Sequence, residues 1–162
     1  MPIQHANAEL AARAWLKTVP GLPSNQIGTT LPQDQTSWAS TGYIQVITSG
    51  PGSSSAYFGY RAPVTTAHFW AVNLNSQQPP WGKCSDLAES LWAELIKDDN
   101  GTERLSLGVA GAPDIRVLQA WPVDEIRRLP WGFPSGQGSF IDPGNAAHYT
   151  LSFQLAWAEL PA

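Results

Sequence analysis

The stretch Pro79-Pro80-Trp81-Gly82-Lys83-Cys84-Ser85-Asp86-Leu87-Ala88-Glu89-Ser90-Leu91-Trp92-Ala93-Glu94-Leu95-Ile96-Lys97 holds the most strongly helical pattern in the chain. Cys84, Leu87, Ala88, Leu91, Trp92, Leu95 and Ile96 recur at spacings of three and four residues, which lays them on one face of a helix. Asp86, Glu89, Ser90, Glu94 and Lys97 take the opposite face. Pro80 marks the start, because a proline in the first turn gives up only an N–H that has no intrahelical partner. Asp86 and Glu89 are placed towards the positive end of the helix dipole and Lys97 towards its negative end. Asn100-Gly101 is expected to stop the helix with a residue of positive φ. Such a helix needs an apolar sheet face to lie on.

The segments around it supply that sheet. Asn7 is placed to cap a first helix with Glu9 in its opening turn and Leu10, Ala11, Ala14, Trp15 and Val19 on its apolar side. Pro20-Gly21 ends it, and Gly21 to Ser40 reads as a polar connection extended along the surface. Tyr43 to Ile47 reads as a short strand, and residues 49–56 as a flexible loop by their Gly, Pro and Ser content. Tyr57–Tyr60, Val64–Asn73, Arg104–Leu107 and Ile115–Trp121 are further strand candidates. The cleanest strand comes after them. Tyr149, Leu151, Phe153, Leu155 and Trp157 alternate with His148, Thr150, Ser152, Gln154 and Ala156, giving one apolar and one polar face.

The expected fold class is therefore α+β: a two-layer sandwich with a mostly antiparallel sheet of about four strands and two amphipathic helices packed on one face. The antiparallel strands should leave the other face polar. The chain of 162 residues reads as a single domain, long enough to bury about 68–70% of its unfolded surface. Residues 129–146 follow neither a strand nor a helix period, although they hold Trp131, Phe133, Phe140 and Ile141. Unstructured connections beyond ~12–15 residues are uncommon in compact domains. This one reads as a long arm that packs on its own domain or on a neighbour.

Charged residues make up only 14% of the chain, against ~25% in an ordinary soluble domain. Low charge with eight tryptophans is what assembly interfaces look like, and also what an uncharged surface looks like. Net charge is −4 and the nine cations are scattered, with only Arg127-Arg128 adjacent, so tight sequence-independent DNA binding is not expected. A lone Cys84 excludes an intramolecular disulfide and a cysteine-based zinc cluster. Met1 to Leu16 lacks the cationic start and apolar run of a signal peptide, and no run approaches about 18 apolar residues, so a soluble product of the cytoplasm is expected.

The search for chemistry names no catalytic, cofactor-binding or metal-ligating residue. His5, His68 and His148 are far apart in sequence, and none has a partner at ligand spacing. Asp98-Asp99 reads as a solvated corner. Gly50-Pro51-Gly52 lacks the Lys-Ser/Thr ending of a phosphate loop. Trp38, Trp81 and Trp131 lie beside Pro, Gly or Ser, where they are either interface anchors, stacking platforms or plugs at the ends of a sheet.

The order of these pieces resembles the tail terminator proteins of long-tailed, siphovirus-type actinobacteriophages. The resemblance runs through the Ala8-Glu9-Leu10-Ala11-Ala12-Arg13-Ala14-Trp15-Leu16 helix, Phe69-Trp70-Ala71-Val72-Asn73, and Pro79-Pro80-Trp81-Gly82-Lys83 with Leu87-Ala88-Glu89. It continues in Ile126-Arg127-Arg128-Leu129-Pro130 and in Ala147-His148-Tyr149-Thr150-Leu151-Ser152-Phe153, where the family strand often opens with Arg-Tyr instead of His148-Tyr149. It covers nearly the whole chain through loose motifs.

The resemblance implies a structural virion protein, not an enzyme, that forms a hexameric ring at the head-proximal end of the tail tube. Such a ring ends tube polymerisation and joins the tail to the head-completion or connector proteins, with DNA passing through its lumen. Its partners would be copies of itself, the tail tube protein and the head–tail connector, with no cofactor and no membrane. The subunits are expected to join through the 49–56 loop and the 129–146 arm, with Trp81, Trp131, Phe133, Phe140 and Ile141 at subunit or tube contacts. A neck or head–tail connector subunit is the nearest alternative. A carbohydrate-binding module stacking sugars on Trp38, Trp81 and Trp131 is a more distant one.

Overall fold

The computed structural model describes residues 5–55, 59–129 and 145–161. In chain order its elements are α1 (Ala8–Leu16), β1 (Ile27–Gly28), β2 (Tyr43–Ser55), β3 (Tyr60–Val72), α2 (Trp81–Leu95), β4 (Thr102–Leu105), β5 (Ile115–Pro122), β6 (Arg127–Arg128) and β7 (Ala146–Glu159). Among the described residues the strands form one seven-stranded sheet in the order β1-β2-β3-β7-β5-β4, with β6 also paired to β7. The sheet is mixed, because β1 runs parallel to β2 while the other pairings are antiparallel.

This overturns the expected two-layer sandwich of about four strands. The sheet is larger and curls into a half-barrel. The physical reason lies in β2 and β3. Each runs for thirteen residues, so the stretch 49–55, read as a loop, continues the strand. Its pairing to β3 slips twice, between Thr48 and Gly50 and between Gly50 and Ser53. Bulges of this kind bend a strand and raise its twist. Gly52 sits in one of them at φ 56°, and a Cβ there would lie 2.0 Å from the Ala62 carbonyl oxygen. Pro63 fits inside β3 because it faces this bulge, where no ladder N–H is required.

β7 is the central strand. It pairs with β3 along one edge, and on its other edge with β5 over Phe153–Glu159 and with β6 at Tyr149 and Thr150. Its odd-numbered residues Ala147, Leu151, Phe153, Leu155 and Trp157 are buried in the main core together with both helices, as the alternation predicts. α1 begins at Asn7, whose side chain accepts from the Leu10 N–H at 2.8 Å. It buries Ala11, Ala12, Ala14, Trp15 and Leu16, and the Trp15 ring lies 5.8 Å from that of Phe153. α2 buries Cys84, Leu87, Ala88, Leu91 and Leu95.

The ends of α2 differ from expectation. Its first turn holds no acid and its last turn no cation, since Asp86 and Glu89 lie further along and Lys97 lies beyond the end. Asn100-Gly101 does not stop it through a positive φ, as neither residue has one. Instead the buried Asn100 amide donates to the Glu94 carbonyl at 3.0 Å and to the Ala120 carbonyl at 2.8 Å, and accepts from the Ala120 N–H at 2.8 Å. The Trp15 indole donates to the Asn100 carbonyl at 3.0 Å. One residue thus ties α2, β5 and α1 together, its side chain joining α2 to β5 and its main-chain carbonyl reaching α1.

The second sheet face is not simply polar. Trp38, Tyr43, Trp70 and Val72 form a separate buried cluster, with Leu31 and Ala39 packed on it. The connection after α1 therefore does not run loosely along the surface. It contributes β1 and a 3-10 turn over Gln35–Ser37, which brings Trp38 down onto the sheet. The Trp38 indole donates to the Pro32 carbonyl at 3.2 Å, and the Tyr43 hydroxyl donates to the Thr30 carbonyl at 2.8 Å.

Candidate functional site

Of the five expected interface residues, Trp81 is described; Trp131, Phe133, Phe140 and Ile141 lie outside the described residues. Trp81 opens α2, half-buried, with its ring edge-on to Tyr149 at 5.8 Å. The Arg128 guanidinium carbon lies 3.7 Å above the indole centroid. A cation over tryptophan in this position is attracted by the ring quadrupole. β6 brings Arg128 here by pairing it with Tyr149, and the next N–H, of Leu129, donates to the His148 carbonyl at 3.0 Å. Asn145, where the chain re-enters the described structure, accepts from the Asn73 N–H at 2.9 Å through its carbonyl. Val72 pairs with Ala146 and Trp70 with His148. The two ends of the expected arm are thus held close together on the β7 ladder, with Trp81, Arg128 and Tyr149 beside them.

The sequence pointed to Trp81 through its Pro-Trp-Gly setting but not to Arg128 or Tyr149. Arg127-Arg128 stood out as the only adjacent cations, and strand alternation separates their roles. Arg128 pairs with Tyr149 on the helix side, whereas Arg127 pairs with Thr150 on the reverse side.

Two histidines that are far apart in sequence meet on that reverse side. His68 on β3 and His148 on β7 share a hydrogen bond between Nδ1 and Nε2 at 3.0 Å. The His148 ring stacks on Trp70 with centroids 3.7 Å apart and planes within 8°. Burial pushes the His68 pKa below its ordinary value. Burial, with the neighbouring His68 second, pushes His148 down to about 3. Both rings are neutral near pH 7, which suits a stacked, buried pair. No spacing rule could have found the pair, because the β3–β7 register brings it together across the sheet.

At the far end of the sheet, His5, Ser54, Gly59, Tyr60, Arg61, Trp157 and Glu159 line an open cleft of about 390 Å³. Its polar groups hold the segment before α1. Glu159 accepts from the Ala6 N–H at 2.7 Å and lies 3.2 Å from His5, while Arg61 donates to the Ala6 carbonyl at 2.9 Å and covers Trp157. Among the described residues no three His, Cys, Asp or Glu side chains come together to hold a metal. Cys84 is buried, its thiol donating to the Phe69 carbonyl at 3.0 Å, and burial pushes its pKa up to about 12. A thiol so far from ionisation is a poor nucleophile. Trp38 is fully buried, so it does not offer a face to a sugar ring. No helix among the described residues is long and apolar enough to cross a membrane.

No known family model and no curated protein sequence matches this chain.

Proposed function

We propose that this chain is a structural subunit of a bacteriophage virion, a tail terminator that assembles as a ring, a hexamer, at the head-proximal end of the tail tube. The ring ends tube polymerisation and gives the head-completion proteins a surface to join. The observation that carries this reading is the junction at Trp81. The described residues that flank the segment holding Trp131, Phe133, Phe140 and Ile141, Leu129 before it and Asn145 after it, lie at one place on the sheet, where the β6–β7 ladder fastens them. An apolar segment rooted on a large sheet gives a subunit the means to grip a neighbour.

The surface supports the same reading. Leu74, Ile96, Val109, Leu118 and Val123 are exposed large apolar side chains. Ring closure needs heterologous contacts between unlike patches, which apolar side chains on a weakly charged surface can provide. A net charge of −4 suits a conduit that lets DNA pass without holding its phosphates.

The test is genetic and visual. In a lysate blocked in head formation, the protein is expected in purified free tails, at the end away from the tip. Deleting it is expected to give tubes of unregulated length that do not join heads. Finding it only with heads would favour a neck connector, and finding it in no particle would end the phage reading.

A further inference from the structure

At both ends of α2 there are charges of the sign that the helix dipole disfavours. At the amino end Lys83 lies in the first turn and Arg128 sits over Trp81, with no acid in that turn and no side-chain cap. Beyond the carboxyl end come Lys97, whose charge is paired to Glu94, and then Asp98 and Asp99, both exposed, near Ile96, which is 59% exposed. Negative charge is favoured at a helix start and positive charge at its end, so this arrangement costs the isolated subunit stability. No ion pair among the described residues offsets it. The ion pairs among the described residues are His5–Glu159, Lys97–Glu94 and Arg104–Asp114, none of which uses these four groups. Among the described residues Lys83 donates to the carbonyls of Ala39 and Ser40. Asp86 and Glu89 lie on the exposed flank between the two ends.

Each end also pairs its charges with an apolar anchor, Trp81 at one and Ile96 at the other. An apolar centre with a charged rim is the anatomy of an interface. Fifteen residues of helix separate the ends by about 22 Å. Two unlike, complementary patches on opposite ends of one element cannot satisfy each other within a subunit. They can do so between subunits, head to tail, and a head-to-tail contact that repeats by rotation closes a ring.

We infer that copies of this chain meet along α2, the Ile96–Asp98–Asp99 end of one against the Trp81–Lys83–Arg128 end of the next. The inference rests on the ring reading above and names its contact. Charge complementarity sets the register of the contact, and the two apolar anchors are desolvated at its centre.

The test is a charge exchange on the purified chain, read by light scattering and sedimentation at about 0.1 M salt. D98K/D99K and K83E/R128E are each expected to weaken self-association at least about tenfold, and an equimolar mixture of the two to restore mixed assemblies. Raising salt to about 1 M, where the screening length drops from ~10 Å to ~3 Å, should weaken the wild-type assembly. Near-ultraviolet circular dichroism checks folding. Because Asp98 and Asp99 are exposed beyond the helix, D98K/D99K remains readable even if loss of the Arg128–Trp81 contact unfolds the other variant. The contact is overturned if the wild-type chain stays monomeric at all concentrations, if D98K/D99K associates like wild type, or if two folded variants fail to associate when mixed. It is equally overturned if the variants lose only co-sedimentation with tail tubes. Failure of the terminator reading would look different, as a self-associating protein absent from tails.

Discussion

The two helices lie on the same sheet but are held in different ways. α1 carries its own end signals: Asn7 caps it, Glu9 lies in its first turn, and the Thr18 hydroxyl donates to the Trp15 carbonyl at 2.7 Å. Glu9 also accepts from the Thr48 N–H at 3.3 Å on the outer edge of β2, which covers part of an otherwise open edge. α2 has a longer apolar face but no side-chain cap at its start. Its start is steadied by Arg128 and Tyr149 from later strands, and its end by Asn100, which lies just past the helix and is itself held by β5. A helix with local caps is specified by its own sequence. One without them is specified by what packs around it.

The largest test of that contrast is Asn100→Ala. It removes three hydrogen bonds and leaves the buried Ala120 N–H and carbonyl without that partner. Orphaned buried groups cost about 1–3 kcal/mol each, so a loss of about 3–5 kcal/mol in urea unfolding is expected. A loss under about 1 kcal/mol would mean that Asn100 does not fasten α2.

Acid probes the other end of α2, where Trp81 rests on the residue next to His148. Folding holds His148 at a pKa of about 3, lowered from 6.5, so the unfolded chain binds the proton first as pH falls. The contribution is intact above about pH 6.5 and declines progressively as pH drops from there towards 3. From this group alone the loss at pH 5 is about 2 kcal/mol, and His68, shifted in the same direction, adds to it. Thermal melts at pH 7 and pH 5 read the change. Equal midpoints would argue against a neutral buried pair.

The smallest expected effect is at α1. Asn7→Ala should cost about 1 kcal/mol, the ordinary value for a lost cap, because the Ala11–Trp15 face still anchors the helix. A loss as large as that of Asn100→Ala would remove the distinction between the helices.

What could be read in the sequence follows the same division. α1 was legible from Asn7, the body of α2 from its three-and-four spacing, and β7 from its alternation, since each depends on neighbouring residues. The continuation of β2 through residues 49–55 was not legible, because Gly, Pro and Ser mark a loop unless a bulge and a facing strand use them. β1 and β6 are two residues each and carry no period at all. Asn100 resembled a stop signal and proved to be a tether, a role that depends on Ala120 arriving from β5. At the candidate site, Trp81 was legible and its partners Arg128 and Tyr149 were not, nor was the His68–His148 pair, because each depends on strand register.

The position of β7 has a consequence for how the chain is made. This strand joins β3 to β5 and β6, yet it follows all three in the chain. As the polypeptide leaves the ribosome, the hairpin of β2 and β3 can pair early, while the β4–β5 pair waits as a separate fragment. Neither can become half of one wall until β7 slides between them. Assembly of the sheet is thereby deferred to a late insertion that locks everything at once, and closing such distant pairings is slow.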